Sequence, residues 1–166
     1  MITGYTYDSR QPPEQEHLTY TYDRQGNMLS DGRNQYTYDD FGRLVLAVTA
    51  EGGIQKNCYD AEGLRTEMEE NGRLVQFLYN ENREVVAEKD YSGNIIRYIR
   101  GLGLISSDSE NARTYYNYKY NVFGNTISCE ERVANRFRYQ GEQYDPVTRQ
   151  YYLRARYYNP VIGRFI

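Results

Sequence analysis

Apolar and polar residues alternate along this chain at every second position, in short runs that end at Gly- or Asn-bearing breaks. Leu18, Tyr20 and Tyr22 alternate with Thr19 and Thr21, and Tyr116, Tyr118 and Tyr120 with Asn117 and Lys119. Phe137 and Tyr139 alternate with Arg136 and Arg138 in the same way. A period of two is the signature of a strand with one apolar and one polar face. The breaks carry turn chemistry: Gly26-Asn27, Gly52-Gly53, Asn71-Gly72 and Gly93-Asn94 all tolerate positive φ. The stretch 61–74, AEGLRTEMEENGRL, has charges that favour helix, but Gly63 and the Asn71-Gly72 turn leave too few residues between them. A strand is expected there.

These runs repeat. TYDRQGNML (21–29), TYDDFGRLV (37–45), CYDAEGLRT (58–66) and KYNVFGNTI (119–127) share a Tyr, then Asp or Asn, then a Gly. LYNENREVV (78–86) and KDYSGNIIR (89–97) are degenerate copies. Anchors at Tyr22, Tyr38, Tyr59, Tyr79, Tyr98, Tyr120, Tyr139 and Tyr158 are separated by 16, 21, 20, 19, 22, 19 and 19 residues. A period near that length belongs to stacked arrays, here of strand–turn–strand units. Asp23, Asp39, Asp60, Asn80 and Asn121 each precede a turn, with Gly26, Gly42, Gly63 and Gly124 inside it. Recurrence at turn after turn argues that these side chains bond turn amides, and against a metal or catalytic role.

Composition agrees with a thin β-structure. Tyrosine occurs 20 times and phenylalanine 5 times, tryptophan is absent, and hydrophobic residues reach only 39% of 166 positions. Burial must therefore come largely from tyrosine rings. Lys+Arg total 20 against Asp+Glu 23, scattered along the chain, which excludes nucleic-acid attraction by bulk charge. Cys58 and Cys129 are too few for a disulfide scaffold, and free thiols are expected. No apolar run approaches the roughly 18 residues of a membrane span. MITGYTYDSR lacks the regions of a signal peptide, so export would depend on sequence outside this chain or on a dedicated secretion machine.

A search for chemistry finds little. His17 is the single histidine, and no Cys/His ligand spacing is present. The pairs Asp39-Asp40, Glu69-Glu70 and Glu130-Glu131 are sequential, so in strands they point to opposite faces. GLGLIS (101–106) lacks the Lys-Ser/Thr of a phosphate loop and reads as a bend in a sheet. The expectation is a chain that is not an enzyme and holds no metal or cofactor. In YYLRARYYNP (151–160), one strand would put Tyr151, Leu153, Ala155 and Tyr157 on one face and Tyr152, Arg154, Arg156 and Tyr158 on the other. Asn159-Pro160 would open a turn that Gly163 continues, and the arginines would lie across tyrosine rings or point into an interior.

The YxYDxxGRL units resemble YD (tyrosine–aspartate) repeats. The segment RFRYQGEQYDPVTRQYYLRARYYNPVIGRFI (136–166) looks like the opening of the RHS repeat-associated core domain. That signature is carried by Tyr144, Asp145, Tyr151, Tyr152, Arg154, Ala155, Arg156, Tyr157, Tyr158, Pro160, Gly163, Arg164 and Phe165. Arg149 stands where the family has Gly, Asn159 where it has Asp, and the stretch between Gly103 and Tyr120 is shortened. The family's self-cleaving aspartates lie in a further segment that is expected to be missing from this chain.

The resemblance implies an all-β fold of stacked β-hairpins forming a curved sheet strip, an arc of a shell or cocoon. It divides the chain into a hairpin array, 1–135, and the start of the core segment, 136–166, continuous with the same sheet. It implies a structural segment of a bacterial Rhs-type polymorphic toxin, secreted or at the cell surface. The partners would be the rest of the shell and an enclosed C-terminal toxin domain, with self-association through open sheet edges. Nucleic acid is not an expected partner. The alternative is an extracellular carbohydrate-binding or adhesion module that presents a tyrosine-lined face to glycans.

Overall fold

A computed structural model describes residues 19–100, 104–109, 112–114, 117–130 and 135–166. His17, Leu18, Tyr116 and the Gly101–Gly103 part of the expected bend lie outside the described residues. The fold is all-β, with antiparallel sheets that do not close into a barrel.

Eleven strands follow one another in sequence order across the first sheet. They are β1 (Thr21–Tyr22), β2 (Met28–Ser30), β3 (Gln35–Tyr38), β4 (Leu44–Val48), β5 (Ile54–Tyr59) and β6 (Arg65–Glu70). The sheet continues with β7 (Arg73–Tyr79), β8 (Val85–Lys89), β9 (Ile95–Arg100), β10 (Leu104–Ser109) and β11 (Ala112–Thr114). Strands β6 and β7 occupy the stretch whose charges favour helix. A separate hairpin pairs β12 (Asn117–Tyr120) with β13 (Thr126–Glu130). A third sheet holds β14 (Gln143–Asp145), β15 (Gln150–Tyr152), β16 (Tyr157–Asn159) and β17 (Arg164–Phe165), again in order.

The turn residues do the same thing each time. Asp39 Oδ1 accepts from the amides of Phe41 and Arg43 at 3.0 and 2.9 Å, while Gly42 N–H donates to Asp39 O at 2.9 Å. Asp23, Asp60, Asn80, Asp90 and Asn121 close their turns by the same pair of amides. Thr49 closes its turn through one of these amides, its hydroxyl accepting from Gly53 N–H at 2.9 Å. At the opposite end of β6, Asn71 (φ 50) and Gly72 (φ 81) form the two-residue turn that their left-handed preference suits.

Period two holds on the strands entering the turns of Asp39, Asp60 and Asn80 and fails on the strands leaving them. Tyr36, Gln55, Asn57, Val75 and Phe77 alternate inward on β3, β5 and β7. The register shifts between Thr37 and Tyr38, Cys58 and Tyr59, and Leu78 and Tyr79, which places a bulge in each pair. On the leaving strands the inward residues are therefore three apart: Leu44 and Ala47, Arg65 and Met68, Val85 and Glu88.

Two expectations for the C-terminal segment are corrected. Residues 136–166 do not extend the first sheet; β14–β17 form their own sheet, lying against the inward face of the first. Residues 151–158 are not one strand. Leu153 N–H donates to Arg156 O at 2.9 Å and Arg154 sits at φ 63, so the chain folds back and pairs Tyr152 with Tyr157 and Tyr151 with Tyr158. Folding back buries Tyr151, Tyr152 and Tyr157 together, which a single strand with opposite faces cannot do. Met28, Tyr36, Leu44 and Ala47 pack with Tyr152 and Tyr157, while Met68, Val75, Phe77, Val85 and Tyr98 pack with Phe137. Cys58 and Cys129 are both free and exposed.

Candidate functional site

Alignment of the units on their turn residue exposes one that differs. Five positions after Asp23, Asp39 and Asn80 stand Met28, Leu44 and Val85, all inward and apolar; five after Asp60 stands Arg65, with no exposed surface. Three positions before the turn residue, Tyr36 and Phe77 face inward, but the unit of Asp60 has Asn57. Five before it, Val75 is matched by Gln55. One unit thus presents a polar socket within an apolar stripe.

Asp145 of β14 fills that socket. Arg65 Nη1 and Nη2 donate to its Oδ2 and Oδ1 at 2.5 and 2.9 Å, a bidentate pair with both side chains fully buried. Gln55 Nε2 donates to Asp145 Oδ2 at 2.7 Å, and Arg65 Nη2 to Gln143 Oε1 at 2.5 Å. The Tyr157 hydroxyl accepts from Arg65 Nη1 and Asn57 Nδ2, both at 3.1 Å. Tyr59 O–H donates to Leu44 O at 2.7 Å and lies 3.3 Å from the Tyr157 hydroxyl. The guanidinium of Arg65 lies 4.3 Å from the Tyr152 ring centroid and 5.3 Å from that of Phe77. Burial works against its charge, but the Asp145 carboxylate outweighs it and holds Arg65 well above the ordinary arginine range.

A second arginine extends the network. Arg136 Nε lies 3.2 Å from Glu88 Oε2, and its Nη1 lies 3.0 Å from Glu70 Oε1 and 4.0 Å from Asp145 Oδ1. Burial alone would lower its affinity for the proton, and Glu88 and Glu70 raise it instead. Asp145 thus sits between two arginines, Arg65 on β6 and Arg136, which Glu70 of β6 and Glu88 of β8 hold in place.

The remaining signature residues join elements. Tyr151 O–H donates to Gly124 O at 2.9 Å, Tyr158 O–H to Phe123 O at 3.1 Å, and Asn125 Nδ2 to Pro160 O at 2.9 Å, so the β12–β13 turn is tied to the third sheet. Tyr144 packs edge-on to Tyr151 at 5.1 Å, and the Arg138 guanidinium lies 4.6 Å from the Tyr144 ring centroid. Arg154 and Ala155 are exposed in the hairpin turn, and Arg156 stacks on Phe165 at 4.1 Å. Gly163 (φ 65) turns the chain into β17, where Arg164 pairs with Asn159. The turn residues Asp23, Asp39, Asp60 and Asn121 are spread along the array and do not converge.

What the arrangement can do is clamp one sheet onto another. Among the described residues no group of three or more His, Cys, Asp or Glu side chains is placed to hold a metal. A cleft of about 660 Å³ opens where the turn after β14 meets those after β4 and β6. Of its charged lining residues, Glu51 and Arg149 pair with each other at 3.3 Å in open solvent. The sequence reading missed Arg65, Gln55, Asn57, Gln143 and Arg136. The available signal was the slot five residues after the turn residue, apolar after Asp23, Asp39 and Asn80 and occupied by arginine after Asp60.

Comparison with known proteins places this geometry. No family model matches the chain. It is 32% identical over 176 residues to the tRNA3(Ser)-specific nuclease WapA of Bacillus spizizenii and 33% identical over 176 residues to the tRNA nuclease WapA of Bacillus subtilis. Each match covers 88% of this chain but 8% of the relative, so the chain spans under a tenth of the curated relatives' length. The crystal structure of TcdB2-TccC3-TEV superposes with a TM-score of 0.56 at 16% identity, across 89% of this chain and 12% of that one. The Photorhabdus luminescens Tc holotoxin pore gives 0.52 at 15%, across 89% and 12%. The chain therefore has an Rhs-like β-fold. The expectation of a protein that is not an enzyme is overturned, because the relatives are named as nucleases. The tRNA in those names also leaves the expected exclusion of nucleic acid without support.

Proposed function

We propose that this chain is a wall segment of the shell of an enzyme-bearing bacterial toxin, and that the whole protein cleaves RNA. The observation that carries the reading is a match over 88% of this chain to 8% of very long nucleases, combined with an open ladder of strands in sequence order. A ladder of that kind extends by adding hairpins at either edge without changing its interior. The rest of the shell would continue it at β1 and β11, whose outer edges carry no partner strand among the described residues. The face lined by Tyr36, Tyr59 and Tyr79 would be the inner one, and the third sheet the element that thickens the wall. A toxin acting on other cells must leave its own, so the protein would be exported or displayed at the surface. The alternative of glycan binding relies on a tyrosine-lined open face. Of the repeat tyrosines, Tyr38 and Tyr59 pack instead against the cluster of Tyr152 and Tyr157 under the third sheet.

The test uses the natural full-length protein that contains this chain. Limited proteolysis should leave its C-terminal region protected, and tRNA cleavage should rise when the shell is opened by mild denaturant. A C-terminal region digested as fast as it is when expressed alone would sink the shell. Absence of RNA cleavage after opening would sink the nuclease.

A further inference from the structure

A translational repeat offers a docking element several equivalent seats. Neighbouring strands lie about 4.8 Å apart, so a slip by one two-strand unit moves the third sheet about 10 Å. Tyr152 and Tyr157 would then meet Val75, Phe77 and Val85 in place of Gln55, Asn57 and Arg65. Apolar burial is non-directional and discriminates poorly between two such seats. Polar burial does discriminate. In the slipped seat Asp145 would face an apolar slot with no donor, and Arg65 would be left buried without its carboxylate.

We infer that the unit spanning 55–70 is an address: Gln55, Asn57 and Arg65 select the seat of the third sheet on an otherwise repetitive face. All three lie in one unit, and each bonds a residue of β14 or β16. The neighbouring units, built from Tyr36 and Leu44 on one side and Phe77 and Val85 on the other, supply mainly apolar burial, to which the Tyr36 hydroxyl adds one bond accepted from Gln150 Nε2 of β15 at 2.8 Å. Buried polar groups that fix register in this way are known from helical coiled coils, where one such residue specifies alignment. The address seats the chain's own segments, whichever function the whole protein has.

Methyl-to-backbone NOEs in the labelled chain read the seat directly. In the native seat a Val147 methyl carbon stands 3.0 Å from the position of a β-carbon on Gly53, and the equivalent position one unit on is Arg73. A relocated variant combines Gln55→Val, Asn57→Phe and Arg65→Val with Val75→Gln, Phe77→Asn and Val85→Arg. Its Val147 NOEs should leave Gly53 and appear at Arg73. A socketless variant carries only the first three changes and should show both sets or a broadened one. A relocated variant that folds with Val147 still beside Gly53 overturns the address. So does a socketless variant with the single native set. If the relocated chain does not fold, the socketless variant decides alone. Loss of amide protection throughout the first sheet in both variants also overturns the inference, since the three residues would then be a folding requirement.

Discussion

Arg65 and Asp145, 80 residues apart in sequence, form a two-bonded ion pair with neither side chain exposed. The arginine occupies a position where the units of Asp23, Asp39 and Asn80 carry Met, Leu and Val, and the aspartate belongs to the segment with the strongest family signature. A buried pair adds little over an apolar replacement, yet removing one partner strands a charge.

Arg65→Met alone, or Asp145→Leu alone, should therefore cost about 3–5 kcal/mol of unfolding free energy. The double variant should cost well under the sum. Urea denaturation with a constant m-value measures both. Single variants that lose less than about 1 kcal/mol would show that water reaches the pair in solution.

Acid should weaken the array through its turns. At Asp31, Asp39 and Asp90 burial pushes the carboxyl up, but the turn amides together with Asn34, Arg43 and Asn94 outweigh it and hold each below the ordinary value of 3.8. A folded value below the unfolded one adds stability above the unfolded value and loses it as pH falls through the folded one. The urea midpoint should be level near neutrality and drop below about pH 4. Asp39→Asn keeps the Oδ1 acceptor that Asn80 and Asn121 already use. It should lose about 0–1 kcal/mol at neutral pH with the Arg43 pair and flatten the acid limb. An unchanged limb would remove Asp39 as a contributor.

Two glycines of the same turn type should respond differently. Gly63 (φ +81) has open space where a β-carbon would stand, with no atom within 4 Å. Gly63→Ala should therefore cost about 1–2 kcal/mol, from left-handed strain alone. Gly124 (φ +86) would put a β-carbon 2.7 Å from Tyr139 Cδ1, so Gly124→Ala should cost about 1–3 kcal/mol more. Thermal unfolding of the two variants side by side checks the order. Equal losses would mean that the Tyr139 ring yields freely.

Alkali should reveal a buried tyrosine class. Burial pushes Tyr59 up to about 12, and Tyr36, Tyr38, Tyr152 and Tyr157 further. With a folded value above the unfolded 10.0, each contributes stability that is present below pH 10 and lost as pH rises toward the folded value. Absorbance titration should show a first class ionising near pH 10 and a second that ionises with unfolding above it. A single class at the ordinary value would contradict the packed tyrosine face.

The local chemistry of this chain was legible in one dimension. Asp39 and Gly42, Asn71 and Gly72, and the Tyr36–Tyr38 alternation act within five or six residues, and repetition multiplies that signal until the all-β array follows. The hairpin at 153–156 was not legible, because Tyr and Arg alternate identically whether the chain runs on or folds back. Its turn uses Arg154 at positive φ where a glycine would have announced it. Nor was the bulge that puts Leu44 and Ala47 on one face, since it depends on pairing with the strand before. The seat of the third sheet depends on Arg65 meeting Asp145, and only a folded chain brings residues 80 apart within hydrogen-bond distance. Short-range turn and strand preferences belong to the sequence; the burial of a charge belongs to its partner, and the partner is supplied by the tertiary fold.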